Sequence, residues 1–130
     1  MKRKFLLLII FIVAIFTGCG IGNTYQHLNQ DEALKIMQTQ NDIIILDVRT
    51  QEEYDKKHIP NAVLLPIDEI RKGNFAPLKD KKQKILVYCW TGRRAEDSAK
   101  LLAENGYSNV FEFGGLVDWT GETEGTEIRD

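Results

Sequence analysis

Two short apolar runs constrain this chain more than any other feature. Ile43-Ile44-Ile45-Leu46 and Ile85-Leu86-Val87-Tyr88 are dominated by aliphatic, β-branched side chains and are too short for helices. Such runs suit strands buried on both faces, the condition of parallel sheets. Each stops at a residue with chemistry of its own, Asp47 and Cys89. Helical patterns fall between and around them. Asn29 or Asp31 can cap a helix to about Thr39, with Ala33, Leu34, Ile36 and Met37 on its apolar face. Residues 51–57 read as a short polar helix, broken by Pro60-Asn61 before a strand at 62–65. Residues 67–72 read as a helical turn closed by Gly73-Asn74, and 79–84 as a charged, solvated loop. The clearest helix spans 93–105, with Ala95, Ala99, Leu102 and Ala103 along one side and Gly106 placed to stop it. Residues 25–28 and 109–113 supply a first and a last strand. Gly114-Gly115 and a short helix to about Thr120 follow, and the acidic end, residues 122–130, is expected to fray. This alternation predicts an α/β domain, a three-layer α/β/α arrangement around a mainly parallel sheet of about five strands.

Composition narrows the function classes. A chain of 130 residues allows one domain. Its formal charge of −2 argues against an electrostatic nucleic-acid binder. The two cysteines, Cys19 and Cys89, stand far apart beside only two histidines, so neither a disulfide scaffold nor a zinc-ligand spacing is present.

The N-terminus has a different character from the rest. Lys2, Arg3 and Lys4 precede an unbroken apolar run from Phe5 to Phe16. That run is shorter than the roughly 20 residues a spanning helix needs. It fits the apolar core of a secretory signal, about 7–15 residues behind a positive start. Phe16-Thr17-Gly18-Cys19 resembles the lipobox of bacterial lipoproteins, with Phe16 in place of the more usual leucine. The resemblance implies a signal peptide over 1–18, lipid on Cys19, a short tether over 19–24 and an extracytoplasmic domain anchored to a bacterial membrane. Removing 1–18 takes away three basic residues and no acidic one, so the charge would move from −2 to −5.

Cys89 stands at a strand end, where ligands of open α/β sheets bind. Cys89-Trp90-Thr91-Gly92-Arg93-Arg94 joins that strand to the clearest helix. Gly92 permits a tight turn whose N–H groups converge, and the helix N-terminus adds partial positive charge. Two arginines add full charges. These effects favour the thiolate, the nucleophilic form. On the residues alone two readings stand, a reactive thiol or a small buried hydrophobe.

Cys89 to Arg94 resembles the C-x-x-G-x-R active-site loop of single-domain rhodaneses, the thiosulfate sulfurtransferase family. Asp47-Val48-Arg49, Glu53-Tyr54 and His58-Ile59-Pro60-Asn61-Ala62 resemble the family's first signature segment, and Phe113-Gly114-Gly115-Leu116 through Trp119 its closing one. The resemblance covers about residues 25–121. It implies that Cys89 carries sulfur as a persulfide, taken from a small anionic donor and passed to a thiol, protein thiol or cyanide. It also implies that the loop N–H groups of Trp90, Thr91, Gly92, Arg93 and Arg94 stabilise the anionic sulfur. Arg94 would orient the loop or bind the donor, and Arg93 would steer anions. No metal and no organic cofactor is implied. Asp47 and Arg49 are expected to be structural, with Arg49 pairing a carboxylate such as Glu53. His58 is expected to be scaffold, Trp90 to line the pocket mouth and Trp119 to sit in the core. His27 has no supporting neighbours in the sequence. Asn61 and Lys57 stand where the family often has glycine.

Two other functions compete. Cysteine phosphatases and arsenate reductases need C-x₅-R, which would place arginine at position 95, where this chain has Ala95. A non-catalytic protein-binding module would not need the loop cysteine that this chain retains.

Overall fold

A computed structural model describes residues 23–127. The expected signal segment 1–18, the lipidation candidate Cys19 and the last three residues of the acidic end lie outside the described residues. The elements run β1 (Gln26–His27), α1 (Gln30–Thr39), β2 (Ile43–Asp47), α2 (Gln51–Lys56), β3 (Val63–Leu64), α3 (Ile67–Arg71), β4 (Lys84–Cys89), α4 (Arg93–Glu104) and β5 (Val110–Gly115), followed by a 3₁₀ turn, Leu116–Asp118. Two helices begin with capping boxes. Asn29 and Glu32 close the start of α1, and Thr50 and Glu53 the start of α2, each pair exchanging side-chain-to-backbone bonds. Among the described residues no helix is long and apolar enough to cross a membrane.

The five strands form one parallel sheet in the order β1-β5-β4-β2-β3. The two apolar runs became its central pair, with Ile44 beside Ile85 and Asp47 beside Tyr88. Successive side chains of a strand point to opposite faces, and β4 obeys this. Ile85, Val87 and Cys89 join the core with Ala95, Ala99 and Leu102 of α4 and Ile70 of α3. Leu86 and Tyr88 join the core with Ala33 of α1, Phe113 and Leu116, against which Tyr54 of α2 also packs. Helices therefore cover both faces, giving three layers. Each fully buried aliphatic side chain in this pair contributes about 1.5–3 kcal/mol. That is why the sheet centre, rather than its two-residue edges, holds the fold.

The expectation of a frayed acidic end is corrected over 122–127. Glu124 pairs with His58 in an antiparallel bridge, exchanging N–H···O bonds of 2.8 and 2.9 Å. Thr126 and Glu127 donate backbone N–H groups to the carbonyls of Asp55 and Lys56, at 2.9 and 2.8 Å. Those carbonyls belong to the last turn of α2, which runs straight into extended backbone at Lys57. Helix ends leave carbonyls without intrahelical partners, and the C-terminal segment supplies them. Gly125 permits the approach: a Cβ there would lie 2.4 Å from the Lys56 carbonyl oxygen. Asn61 adopts φ 66°, a left-handed conformation that asparagine tolerates better than most residues.

Candidate active site

Cys89 is the last residue of β4, and the ladder to β5 shifts register between Val87 and Cys89, so Cys89 pairs with Gly115. The chain then turns sharply through Trp90-Thr91 into Gly92 at φ 108°, and α4 starts at Arg93. The turn brings the Gly92 N–H back onto Cys89 Sγ, which accepts a hydrogen bond at 3.0 Å. Cys89 is 1% exposed. The two readings of this residue thus meet in one place: it packs with the α4-side core, yet its sulfur faces a backbone donor.

β5 holds the outside of the loop. Val117 donates its N–H to the Trp90 carbonyl at 3.0 Å. A Cβ at Gly115 would lie 2.0 Å from that same carbonyl oxygen, and one at Gly92 would lie 3.2 Å from Gly114 Cα. Gly115 is therefore a mould for the loop, with no room for a side chain, while Gly114 is favoured as glycine by its φ of 88°. Two residues without a signal of their own complete it. Gln30 donates Nε2–H to the Gly115 carbonyl at 2.8 Å. Glu112, buried in the middle of β5, accepts the Gly114 N–H at 3.1 Å and pairs with the His27 ring. His27 so acquires a neighbour 85 positions away that local sequence could not reveal. A carboxylate in an otherwise apolar strand was the one available hint.

Arg94 is committed to Glu53. Its Nη1 and Nη2 donate to both carboxylate oxygens at 2.8 Å. The same carboxylate accepts the Thr50 N–H and hydroxyl at 2.9 and 3.0 Å. Arg94 foremost holds the Glu53 carboxyl down, to about 2 from an ordinary 4.5, and Glu53 in turn raises the Arg94 guanidinium. One carboxylate thus caps α2 and clamps the start of α4. Of the two roles expected for Arg94, orienting the loop is the one its contacts serve. The expected Arg49–Glu53 pair is corrected. Arg49 binds Asp47 instead, because Asp47 lies two residues back on the same strand end, while Glu53 is consumed by Arg94.

Asp47 and Arg49 are buried and bonded to each other. Asp47 accepts from the Arg49 backbone N–H, Nε–H and Nη2–H and from the Tyr88 hydroxyl at 2.7 Å. Arg49 Nη2 also donates to the Lys57 carbonyl at 2.6 Å. Burial, followed by Asp47, pushes the Tyr88 phenol far upward, so it stays a donor. His58 stacks on Tyr54 at 3.7 Å between ring centroids and contacts the Tyr54 carbonyl, a scaffold position. Arg93 is exposed and lines a shallow cleft of about 560 Å³ with His27, Thr91, Gly92, Glu96, Glu112 and Gly114. Trp90 is exposed beside the loop, whereas Trp119 is half-buried against Phe113.

A cysteine cradled at the carboxyl end of a parallel strand, under a six-residue loop running to a clamped arginine, defines a class. The chain belongs to the rhodanese-like domain family, whose model matches residues 29–122. It is 37% identical over 100 residues to the putative sulfur carrier protein YrkF of Bacillus subtilis (strain 168), covering 76% of this chain and 48% of that protein. The chain thus spans about half the length of that relative. It is 32% identical over 96 residues to the thiosulfate sulfurtransferase GlpE of Coxiella burnetii (strain RSA 331 / Henzerling II), covering 73% of this chain and 87% of that one. The crystal structure of a rhodanese-like domain protein from Staphylococcus aureus matches with a TM-score of 0.67 and 28% identity, over 78% of this chain and 99% of that one.

Proposed function

We propose that this chain is a sulfurtransferase that moves a sulfane sulfur through a persulfide on Cys89, from thiosulfate or a similar donor to a thiol or cyanide. The reading rests chiefly on Cys89 Sγ accepting the Gly92 N–H at 3.0 Å inside a loop moulded by β5. The Cys89 thiolate attacks the outer sulfur of the donor. The donor's S–S bond breaks, its electron pair leaves with sulfite, and the sulfur remains on Cys89. An acceptor thiolate or cyanide then attacks that outer sulfur, and the electron pair of the broken bond returns to Cys89. Two half-reactions through one covalent intermediate give ping-pong kinetics. The N–H groups of Trp90 to Arg94 stabilise the terminal sulfur anion, as an oxyanion hole does for oxygen. Arg94, held by Glu53, positions the loop rather than gripping the donor, and Arg93 is left to steer anions.

Mass spectrometry after thiosulfate treatment tests this. One sulfur should be gained on the Cys89 peptide, and cyanide should remove it. The Cys89→Ser variant should gain none and turn over nothing. A Cys89→Ser variant with full activity would overturn the reading. The leader belongs to the same proposal: Cys19 carries lipid and the domain works outside the cytoplasm. The Cys19→Ala variant should leave the membrane fraction or remain unprocessed. A wild type found full length and wholly cytosolic would refute that part alone.

A further inference from the structure

Among the described residues two carboxylates are buried, Asp47 and Glu112. Asp47 is met by the buried guanidinium of Arg49. Glu112, 7% exposed, faces no buried cation. Its side chain contacts the His27 ring, itself 67% exposed, and the Gly114 N–H. A buried charge with so little compensation is costly. Phe111 and Phe113 on either side are apolar, and an apolar side chain at 112 would avoid that cost. The carboxylate needs a local reason.

Its place supplies one. Glu112 pairs with Val87, two residues before Cys89, and strand alternation puts all three side chains on the α4 face of the sheet. There Glu112 lines one cleft with Thr91, Gly92 and Gly114. An unbroken set of contacts runs from it to the sulfur. Glu112 Oε2 accepts the Gly114 N–H at 3.1 Å. Gly114 lies in the stretch where the ladder shifts register, between the pairs Val87–Glu112 and Cys89–Gly115, so the side chain two residues back fixes a peptide at an irregular point. Gly114 Cα packs on Gly92, where a Cβ would lie 3.2 Å away. The Gly92 N–H donates to Cys89 Sγ at 3.0 Å. On the far side the His27 ring holds the other carboxylate oxygen, and the parallel pairing of His27 with Glu112 delivers it there.

We infer that Glu112, braced by His27, is a positioning residue for sulfur transfer. It sets the Gly114 peptide, and through Gly114 the Gly92 N–H that meets the Cys89 sulfur. The inference rests on the persulfide reading of Cys89. Glu112 acts on the rate of the step at Cys89 and not on donor binding, because its contacts end at the backbone of the mould.

Single-turnover persulfide formation with thiosulfate, followed by mass spectrometry on the whole protein, tests this beside urea unfolding. Glu112→Leu keeps the position filled and removes the acceptor. Its rate at saturating thiosulfate should fall about tenfold or more, since a misplacement of about 1 Å can cost on the order of a hundredfold. The thiosulfate concentration that gives half the maximal rate should stay nearly constant. Glu112→Gln retains a carbonyl oxygen for the Gly114 N–H and should recover most of the rate. His27→Ala, at an exposed position, should leave the urea midpoint in place and slow the step by about threefold, and it decides the matter if Glu112→Leu does not fold. Wild-type rates in Glu112→Leu or in His27→Ala overturn the positioning role. So does Glu112→Gln as slow as Glu112→Leu, or a loss confined to the half-saturating concentration. A wild type that forms no persulfide overturns the persulfide reading itself.

Discussion

Two neighbouring strand ends in this molecule have opposite characters. β2 ends at Asp47 and β4 at Cys89, on adjacent parallel strands at the same carboxyl end of the sheet. Both carry an ionisable side chain that is almost fully buried. At β2 every oxygen is spoken for, by Arg49 and Tyr88, and Arg49 in turn reaches the Lys57 carbonyl. At β4 the sulfur accepts one backbone N–H and, among the described residues, no side-chain hydrogen bond. A group whose partners are all internal stabilises the fold. A group given only a backbone donor keeps the freedom that the proposed sulfur transfer asks of Cys89. Position in the sheet does not separate structure from chemistry; the completeness of the partner set does.

The contrast is broken most sharply by exchanging the two outcomes. Cys89→Ser should take sulfur transfer to background while the urea midpoint moves little. Asp47→Ala should do the reverse. It leaves the Arg49 guanidinium, 3% exposed, without its carboxylate, and an orphaned buried charge costs about 3–5 kcal/mol. Urea unfolding measures that loss, and turnover per folded molecule should survive it. If Asp47→Ala instead folded normally and lost turnover, Asp47 would belong to the chemistry and the contrast would be false.

A subtler intrusion comes from the mould. Gly115→Ala would set a methyl group 2.0 Å from the Trp90 carbonyl oxygen, so the loop must shift. Overpacking of this kind costs about 1–3 kcal/mol. The larger consequence is chemical, because a misplacement of about 1 Å at a reacting group can cost on the order of a hundredfold in rate. Persulfide formation, followed by mass spectrometry against time, should slow far more than stability falls. A Gly115→Ala variant with normal kinetics would show that the loop is set by its own sequence and not by β5.

What the sequence disclosed and what it hid follow from the range of the interactions. The apolar runs, the asparagine cap of α1 and the stop at Gly106 are local signals, and they placed the strands and helices within a residue or two. The Cys89 loop was legible for the same reason, since its six residues are contiguous, although Gly115, which moulds it, is not. The partners were not. Arg94 and Glu53 are 41 positions apart, and His27 and Glu112 are 85 apart. Only the β-α-β crossovers bring them together. Arg49 was assigned to Glu53 because they are near in sequence, but a strand end and a helix start compete for the same carboxylate, and Arg94 arrives with better geometry. The C-terminal residues looked frayed because they are acidic and contain glycine. What docks them is the backbone of α2, whose open carbonyls leave no mark in composition.

The Arg94–Glu53 clamp lies between the two strand ends in character, and it gives the smallest effect. Glu53→Gln keeps the shape and removes the charge, so Arg94 loses its counterion. Both side chains are about one-third exposed. Solvent screens such a pair, and its contribution should be about 1 kcal/mol or less. Its pH dependence has a definite sign. The Glu53 carboxyl lies at about 2 in the folded chain against an ordinary 4.5. The unfolded chain therefore takes up a proton first as pH falls. The clamp's contribution is whole above about 4.5 and drains away as pH drops toward 2. Urea unfolding at a series of pH values should show wild type losing its advantage over Glu53→Gln across that window and over no other. Turnover at neutral pH should fall modestly in Glu53→Gln, through a lower kcat with KM for thiosulfate nearly constant, as expected of a positioning residue. A KM that rises while kcat holds would instead make Arg94 a donor-binding group, and the clamp would join Cys89 on the chemical side of the comparison.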